Sequence, residues 1–169
     1  MKVTLIASIT ADGFIAQNTQ QSSLKWTSRE DTRFFIDFTK KVGVLIMGST
    51  TFATIGKPLP GRKIIVLTKS QKYDQFDSSQ VVAESRSLKE IIKELSDSGQ
   101  QEVAISGGSS VYTQFMKEGL VDELYLTVEP IVFGEGIKLF QTPINQNLNL
   151  IEIIDLSEQT KVMHYKVVR

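Results

Sequence analysis

A single-domain α/β fold is predicted, with a mostly parallel central sheet, flanking helices and an antiparallel hairpin late in the chain. Three observations predict it. Short apolar runs alternate with amphipathic stretches through most of the sequence, two of those runs end in glycine followed by hydroxyl residues, and the final segments read as strands.

Lys2–Ile9 alternates and then runs apolar, as a central strand does, and Ala11-Asp12-Gly13 supplies a turn. The polar stretch that follows, up to Leu24, is long for a compact domain and fits either a lid over a site or a plain surface loop. From Ser28 to Lys41, Phe34, Phe35, Phe38 and Val42 recur at helical spacing behind the capping pattern Thr27-Ser28-Arg29-Glu30. A strand over 44–48, a short helix over 49–55 and a strand over 64–68 come next. A weaker strand near Val81-Val82 precedes a helix from Ser87 to Leu95, whose buried stripe is Leu88, Ile91, Ile92 and Leu95. Glu102–Ser106 reads as a buried strand, Gly107-Gly108 as a turn, and Ser109–Glu118 as a helix carrying Val111, Phe115 and Met116 inward. Leu124–Val132 is predicted as a long strand broken by Gly134-Glu135-Gly136, and Leu150–Leu156 with Val162–Val168 as the closing antiparallel pair. No repeat or linker divides the chain.

Bulk properties narrow the chemistry. A length of 169 residues suffices for one well-filled core, and 19 basic residues balance 19 acidic ones, so nothing points to nucleic acid or a membrane surface. Any anion recognition has to be local. Without cysteine, thiolate metal sites and cysteine nucleophiles are excluded, and the single histidine, His164, rules out a His-cluster metal site. No leader and no long apolar span stands out, so a soluble cytoplasmic protein with a small-molecule substrate and no metal is expected.

The stretch from Met47 to Lys63 is the most informative. Gly48 permits a tight turn and close approach, while Ser49, Thr50 and Thr51 place hydroxyls beside the unpaired N–H groups of a helix start. An ordinary capped connection fits the same residues. Pro58 and Pro60 fix the backbone around Leu59, and Arg62 follows Gly61 with a donor fork suited to carboxylate or phosphate, or simply as a solvated strand-end charge. Ile105 through Ser110 repeats the device with Gly107, Gly108, Ser109 and Ser110, and two such junctions in a parallel sheet can face one crevice. Neither is a G-x-G-x-x-G or Walker A loop. Thr68 and Lys69 lie at the end of the strand after Arg62. Asp31 falls three and four positions before Phe34 and Phe35, on the aromatic stripe, where it either binds a ligand's paired N–H donors or caps the helix.

Taken together and in this order, these residues resemble the dihydrofolate reductase superfamily. Trp26 followed by Asp31 is similar to its acid and partner tryptophan, and Ile46-Met47-Gly48, Thr51, Ile55-Gly56 and Pro58 through Lys63 to its cofactor-and-folate segment. Gly107-Gly108 with Val111-Tyr112, and Leu124-Tyr125-Leu126-Thr127, match in the same way. The resemblance implies a dihydrofolate reductase-like fold and NADPH as cofactor. Ala7 and Thr51 would adjoin the nicotinamide, Gly107 and Gly108 the nicotinamide and pyrophosphate, and Thr68 and Lys69 the adenosine end. Asp31 would hold the pterin edge, assisted by Thr127 through water. Leu24, Phe35, Ile55 and Leu59 would wall the folate pocket, and Arg62 would bind the glutamate α-carboxylate.

The sequence departs from that pattern at Ser49, where many members carry a basic residue, at Thr32 beside the acid, and in the longer loop before Trp26. Val121-Asp122-Glu123-Leu124 and the run from Pro130 to Gly136 with Leu139-Phe140 look more like the reductase domain of riboflavin biosynthesis, which reduces a ribosylamino-pyrimidinone phosphate. A nucleotide-binding module without turnover is a third reading.

Overall fold

The computed structural model describes residues 1–169. Its backbone is an eight-stranded sheet in the order β5-β4-β3-β6-β1-β7-β10-β9, and a small two-stranded sheet of β2 and β8 lies beside it. The large sheet is built from β1 (Lys2–Thr10), β3 (Val44–Gly48), β4 (Lys63–Leu67), β5 (Val81–Glu84), β6 (Glu102–Ile105), β7 (Glu123–Glu129), β9 (Leu148–Asp155) and β10 (Lys161–Val167). Neighbouring strands from β5 through β7 pair in parallel, and β10 runs antiparallel to both β7 and β9. The helices are α1 (Arg29–Val42), α2 (Ser49–Ile55), α3 (Leu88–Asp97) and α4 (Ser109–Lys117).

Both faces of the sheet are covered, which explains the near-continuous apolar runs. On β1 and β3, Val3, Leu5, Ala7, Val44 and Ile46 pack with Ile91 of α3 and Val111, Tyr112 and Phe115 of α4. Their alternates Ile6, Leu45 and Met47 pack on the other face with Phe52 of α2 and the aromatic stripe Phe34, Phe35 and Phe38 of α1. Phe115 is fully buried and anchors the first layer.

Several expected boundaries move. β7 stops at Glu129 instead of reaching Val132, because Pro130 has no N–H to donate to the ladder. The loop after Asp12 is neither a free lid nor wholly irregular. Phe14–Ala16 forms β2, which pairs with β8 (Ile137–Lys138), and Ser23–Lys25 makes one 3-10 turn. Asp12 fastens its base, accepting from the Thr10 hydroxyl at 2.5 Å and from the Gly134 N–H at 2.7 Å. Gly136 (φ 141°) is required where β8 meets β2, since a Cβ there would lie 2.4 Å from the Ala16 carbonyl oxygen. No helix is long and apolar enough to cross a membrane.

Candidate active site

A cleft of about 840 Å³ opens at the carboxyl ends of β1, β3 and β6, within the size range of small-molecule and cofactor sites. The strand order places β6 between β3 and β1, so the two glycine junctions become neighbours. The Gly48 N–H donates to the Gly107 carbonyl at 2.8 Å. A Cβ on Gly108 would lie 3.0 Å from the Thr51 hydroxyl oxygen, and Gly107, at φ 109°, needs a conformation that side chains disfavour. Glycine at both positions keeps a narrow cradle open between α2 and α4. Neither helix receives a side-chain cap from its Gly48 or Gly108 N-cap, so the first-turn N–H groups face the cleft region without a capping hydroxyl.

Ala7, Gly48, Ser49, Thr50, Thr51, Gly107, Gly108, Ser109 and Ser110 all line this cleft. Two of the hydroxyls are already engaged. Ser109 donates to the Lys138 carbonyl at 2.7 Å, tying α4 to β8, and Ser110 accepts from Gln114 at 3.0 Å. Ser106, expected only as the end of a buried strand, also lines the cleft, and its buried hydroxyl has no protein partner. Its position directly before the glycine pair was the only available signal.

The opposite wall comes from α1. Ser28 caps that helix by accepting the Asp31 N–H at 3.1 Å, which fixes Asp31 in the first turn. Capping and cleft roles are therefore not alternatives, because Ser28 does the capping and the Asp31 carboxylate is left to the cleft. Asp31 is buried to 5% exposure, and its Oδ2 accepts from the Ser8 hydroxyl at 2.7 Å. Burial pushes its pKa above the ordinary carboxylate range, against the lowering effect of hydroxyls from Ser8, Thr127 and Thr27, while the Glu129 charge pushes it further up.

Asp31, Phe35 and Thr39 follow one another at four-residue spacing along one stripe of α1. Thr39 ends that stripe by accepting from Arg62 Nη1 at 3.0 Å, and Arg62 Nε donates to the Pro60 carbonyl at 3.2 Å. Arg62 is only 8% exposed, lines the cleft and forms no ion pair with any acid of the chain. Burial lowers its pKa, which marks a charge partly stripped of water. Asp31 and Thr39 lie eight positions apart on the helix, so the acid and the arginine's anchor stand about 12 Å apart along the cleft. Leu24, Phe35, Ile55 and Leu59 line the space between, together with Thr32 and Thr54.

Four expected site residues are placed elsewhere. Trp26 is outside the cleft, packed edge-on against Phe133 at 5.2 Å with its indole N–H buried and unpartnered, because the loop before α1 turns it toward the end of β7. Thr127 is buried behind Asp31 and not on the cleft surface. Thr68 and Lys69 lie beyond the cleft wall, with the Thr68 hydroxyl accepting from the Gln71 N–H at 3.1 Å in its own turn. His164 stacks on Tyr125 at 4.0 Å between Glu123 and Glu152, away from every candidate nucleophile of the cleft.

The sequence profile of the dihydrofolate reductase family matches residues 2–140. The chain belongs to this family. Among related sequences, a dihydrofolate reductase of Bacillus subtilis (strain 168) is 34% identical over 108 residues, covering 64% of this chain and 59% of that protein. The uncharacterized protein YwjB of the same strain is 26% identical over 172 residues and 97% of each chain. A putative riboflavin biosynthesis protein from Shewanella sp. PV-4 shares the fold with a TM-score of 0.86 at 23% identity, over 100% of both chains. NADPH is the hydride donor of dihydrofolate reductase family enzymes, and the glycine cradle, the uncapped helix starts and the orphan Ser106 hydroxyl of this cleft fit such a dinucleotide. The protein is accordingly an oxidoreductase of the dihydrofolate reductase family.

Proposed function

We propose that the protein reduces 7,8-dihydrofolate to tetrahydrofolate with NADPH. The observation that carries this reading is the pairing, across one cleft, of a buried acid and a buried arginine that lacks an acidic partner. When bound, NADPH supplies the hydride that C6 of the pterin takes up, and N5 takes up a proton. Asp31 accepts from the pterin's amino and N3 edge as a carboxylate, and its raised proton affinity lets it take up a proton from water and pass it toward N5 through the substrate or a water. Phe35, Ile55, Leu59 and Leu24 exclude water from the ring and its aryl arm. Arg62, held by Thr39 and Pro60, offers its free donors to the substrate's α-carboxylate. Ala7, Thr51, Gly107 and Gly108 align the nicotinamide, while Gly48, Ser49, Thr50, Ser109 and Ser110 form the phosphate wall. Thr127 tunes the acid from behind, and Trp26, Thr68 and Lys69 act outside the inner cleft.

A second reading is reduction of the riboflavin-pathway ribosylamino-pyrimidinone phosphate. The hydroxyls of Ser22 and Ser23 at the cleft wall favour it, since a sugar phosphate would be better matched there than an aminobenzoyl ring, whereas Thr32 and Thr54 donate to the Ser28 and Thr51 carbonyls of their own helices. The experiment is NADPH oxidation by purified protein with either substrate. Turnover of dihydrofolate supports the first reading; turnover of the pyrimidinone alone replaces it with the second, and cofactor binding without turnover of either leaves a nucleotide-binding module.

A further inference from the structure

Outside the cleft, a second buried carboxylate lies behind the acid. Glu129 ends β7 at 2% exposure. It shares a strand face with Thr127, two residues earlier, which contacts Asp31. One Glu129 oxygen accepts both the backbone N–H and the hydroxyl of Ser28, each at 2.8 Å, and the other accepts the Thr160 hydroxyl at 3.1 Å. The Ser28 oxygen that donates to Glu129 is the one that accepts the Asp31 N–H at 3.1 Å. A single hydroxyl therefore links the Glu129 carboxylate to the backbone N–H of Asp31.

No cation balances this charge. The recess beside Glu129 is lined by Trp26, Ser28, Glu30 and Thr160 among others and contains no lysine, arginine or histidine. Lys161, nearby on β10, pairs instead with Asp155 and the Ser157 carbonyl. The other titratable group bearing on Asp31 is Tyr112 of α4, whose hydroxyl is committed to the Ile6 carbonyl at 2.7 Å. A buried, unpaired carboxylate is costly. Fastening Ser28 does not require one, because glutamine has nearly the same shape and its carbonyl can accept the Ser28 N–H and hydroxyl, with its amide NH2 donating to the Thr160 oxygen.

We propose that Glu129 is a positioning residue for Asp31, clamping the start of α1 through Ser28 and setting a second carboxylate behind the acid that disfavours its ionised form. This rests on the reading of Asp31 as the proton-holding group of the reductase. The direction agrees with the raised proton affinity of Asp31, to which the Glu129 charge contributes after burial.

The test is the NMR titration of the Asp31 carboxyl carbon, assigned by its loss in Asp31→Asn, in ligand-free wild type and Glu129→Gln. The expected result is a midpoint at lower pH in Glu129→Gln, with several-fold less protonated Asp31 at neutral pH. If Glu129→Gln does not fold, Glu129→Met is used, leaving Ser28 and Thr160 to water in the open recess, and the same fall is expected. An unchanged midpoint in the folded variant, with only a lower Tm, overturns the proposal and leaves Glu129 as part of the cap. The readout needs no substrate, so failure of the dihydrofolate assay and failure of this proposal are separate results.

Discussion

Replacing Asp31 by asparagine removes the proton-holding group while keeping its shape and its ability to accept from Ser8. General acid–base groups contribute about 10²–10⁴ in rate, so we expect kcat to fall by that factor, equivalent to about 3–5 kcal/mol of barrier. NADPH binding is expected to change little, because Asp31 lies on the α1 wall and the glycine cradle on the other. The pH dependence has a definite sign. Burial raises the folded-state pKa of Asp31, so wild-type turnover declines as pH rises through that raised value, whereas the variant's residual rate only increases with acidity as N5 takes its proton from solvent. Asp31→Asn affects stability with the opposite sign to turnover. Above about pH 4 the unfolded carboxyl ionises freely while the folded one resists, so the native state binds more protons and the wild type loses stability as pH rises through that window. Asparagine escapes this cost, and its Tm at pH 8 is expected to exceed wild type, with the gap closing toward pH 4. Stopped-flow NADPH oxidation and thermal melts across pH check both halves. Unchanged turnover in Asp31→Asn would refute the acid's role, and a Tm gap that widens toward low pH would refute the electrostatic reasoning.

Arg62→Lys keeps the charge and loses the fork; we expect dihydrofolate KM to rise about tenfold, about 1.4 kcal/mol, with a dihydropterin lacking the glutamate tail unaffected, as steady-state kinetics with both substrates will show. Gly108→Ala sets a methyl 3.0 Å from the Thr51 hydroxyl, and fluorescence titration should give an NADPH Kd weakened at least about tenfold, with Tm nearly unchanged. Phe115→Ala empties a fully buried position between the sheet and α4 and should cost about 3–5 kcal/mol in denaturant unfolding, without altering which ligands bind.

Elements with strong local signals were legible before the structure. The Phe34-Phe35-Phe38 stripe, the Ser28 cap, the apolar strands and the late hairpin carry their own periodicity, and the structure places them within a few residues of expectation. β2 and β8 were missed because strands of three and two residues have no measurable period, and they exist only because Gly136 allows a close approach. The cleft wall was legible where glycine and hydroxyl residues follow strands, since that pattern is local. The fate of side chains was not. Whether Trp26 points into the cleft or toward Phe133 depends on a contact more than a hundred residues distant, and the burial of Arg62 depends on Thr39 of another element. Glu129 was invisible for the same reason, as its partners Ser28 and Thr160 belong to different segments.

The most direct test of the central claim follows the hydride itself. With NADPH carrying deuterium at the transferred position of the nicotinamide, a single turnover with dihydrofolate should yield tetrahydrofolate bearing one deuterium at C6 by mass spectrometry and NMR. Tetrahydrofolate without label, or label appearing only in the reduced pyrimidinone when that substrate is supplied, would contradict the account.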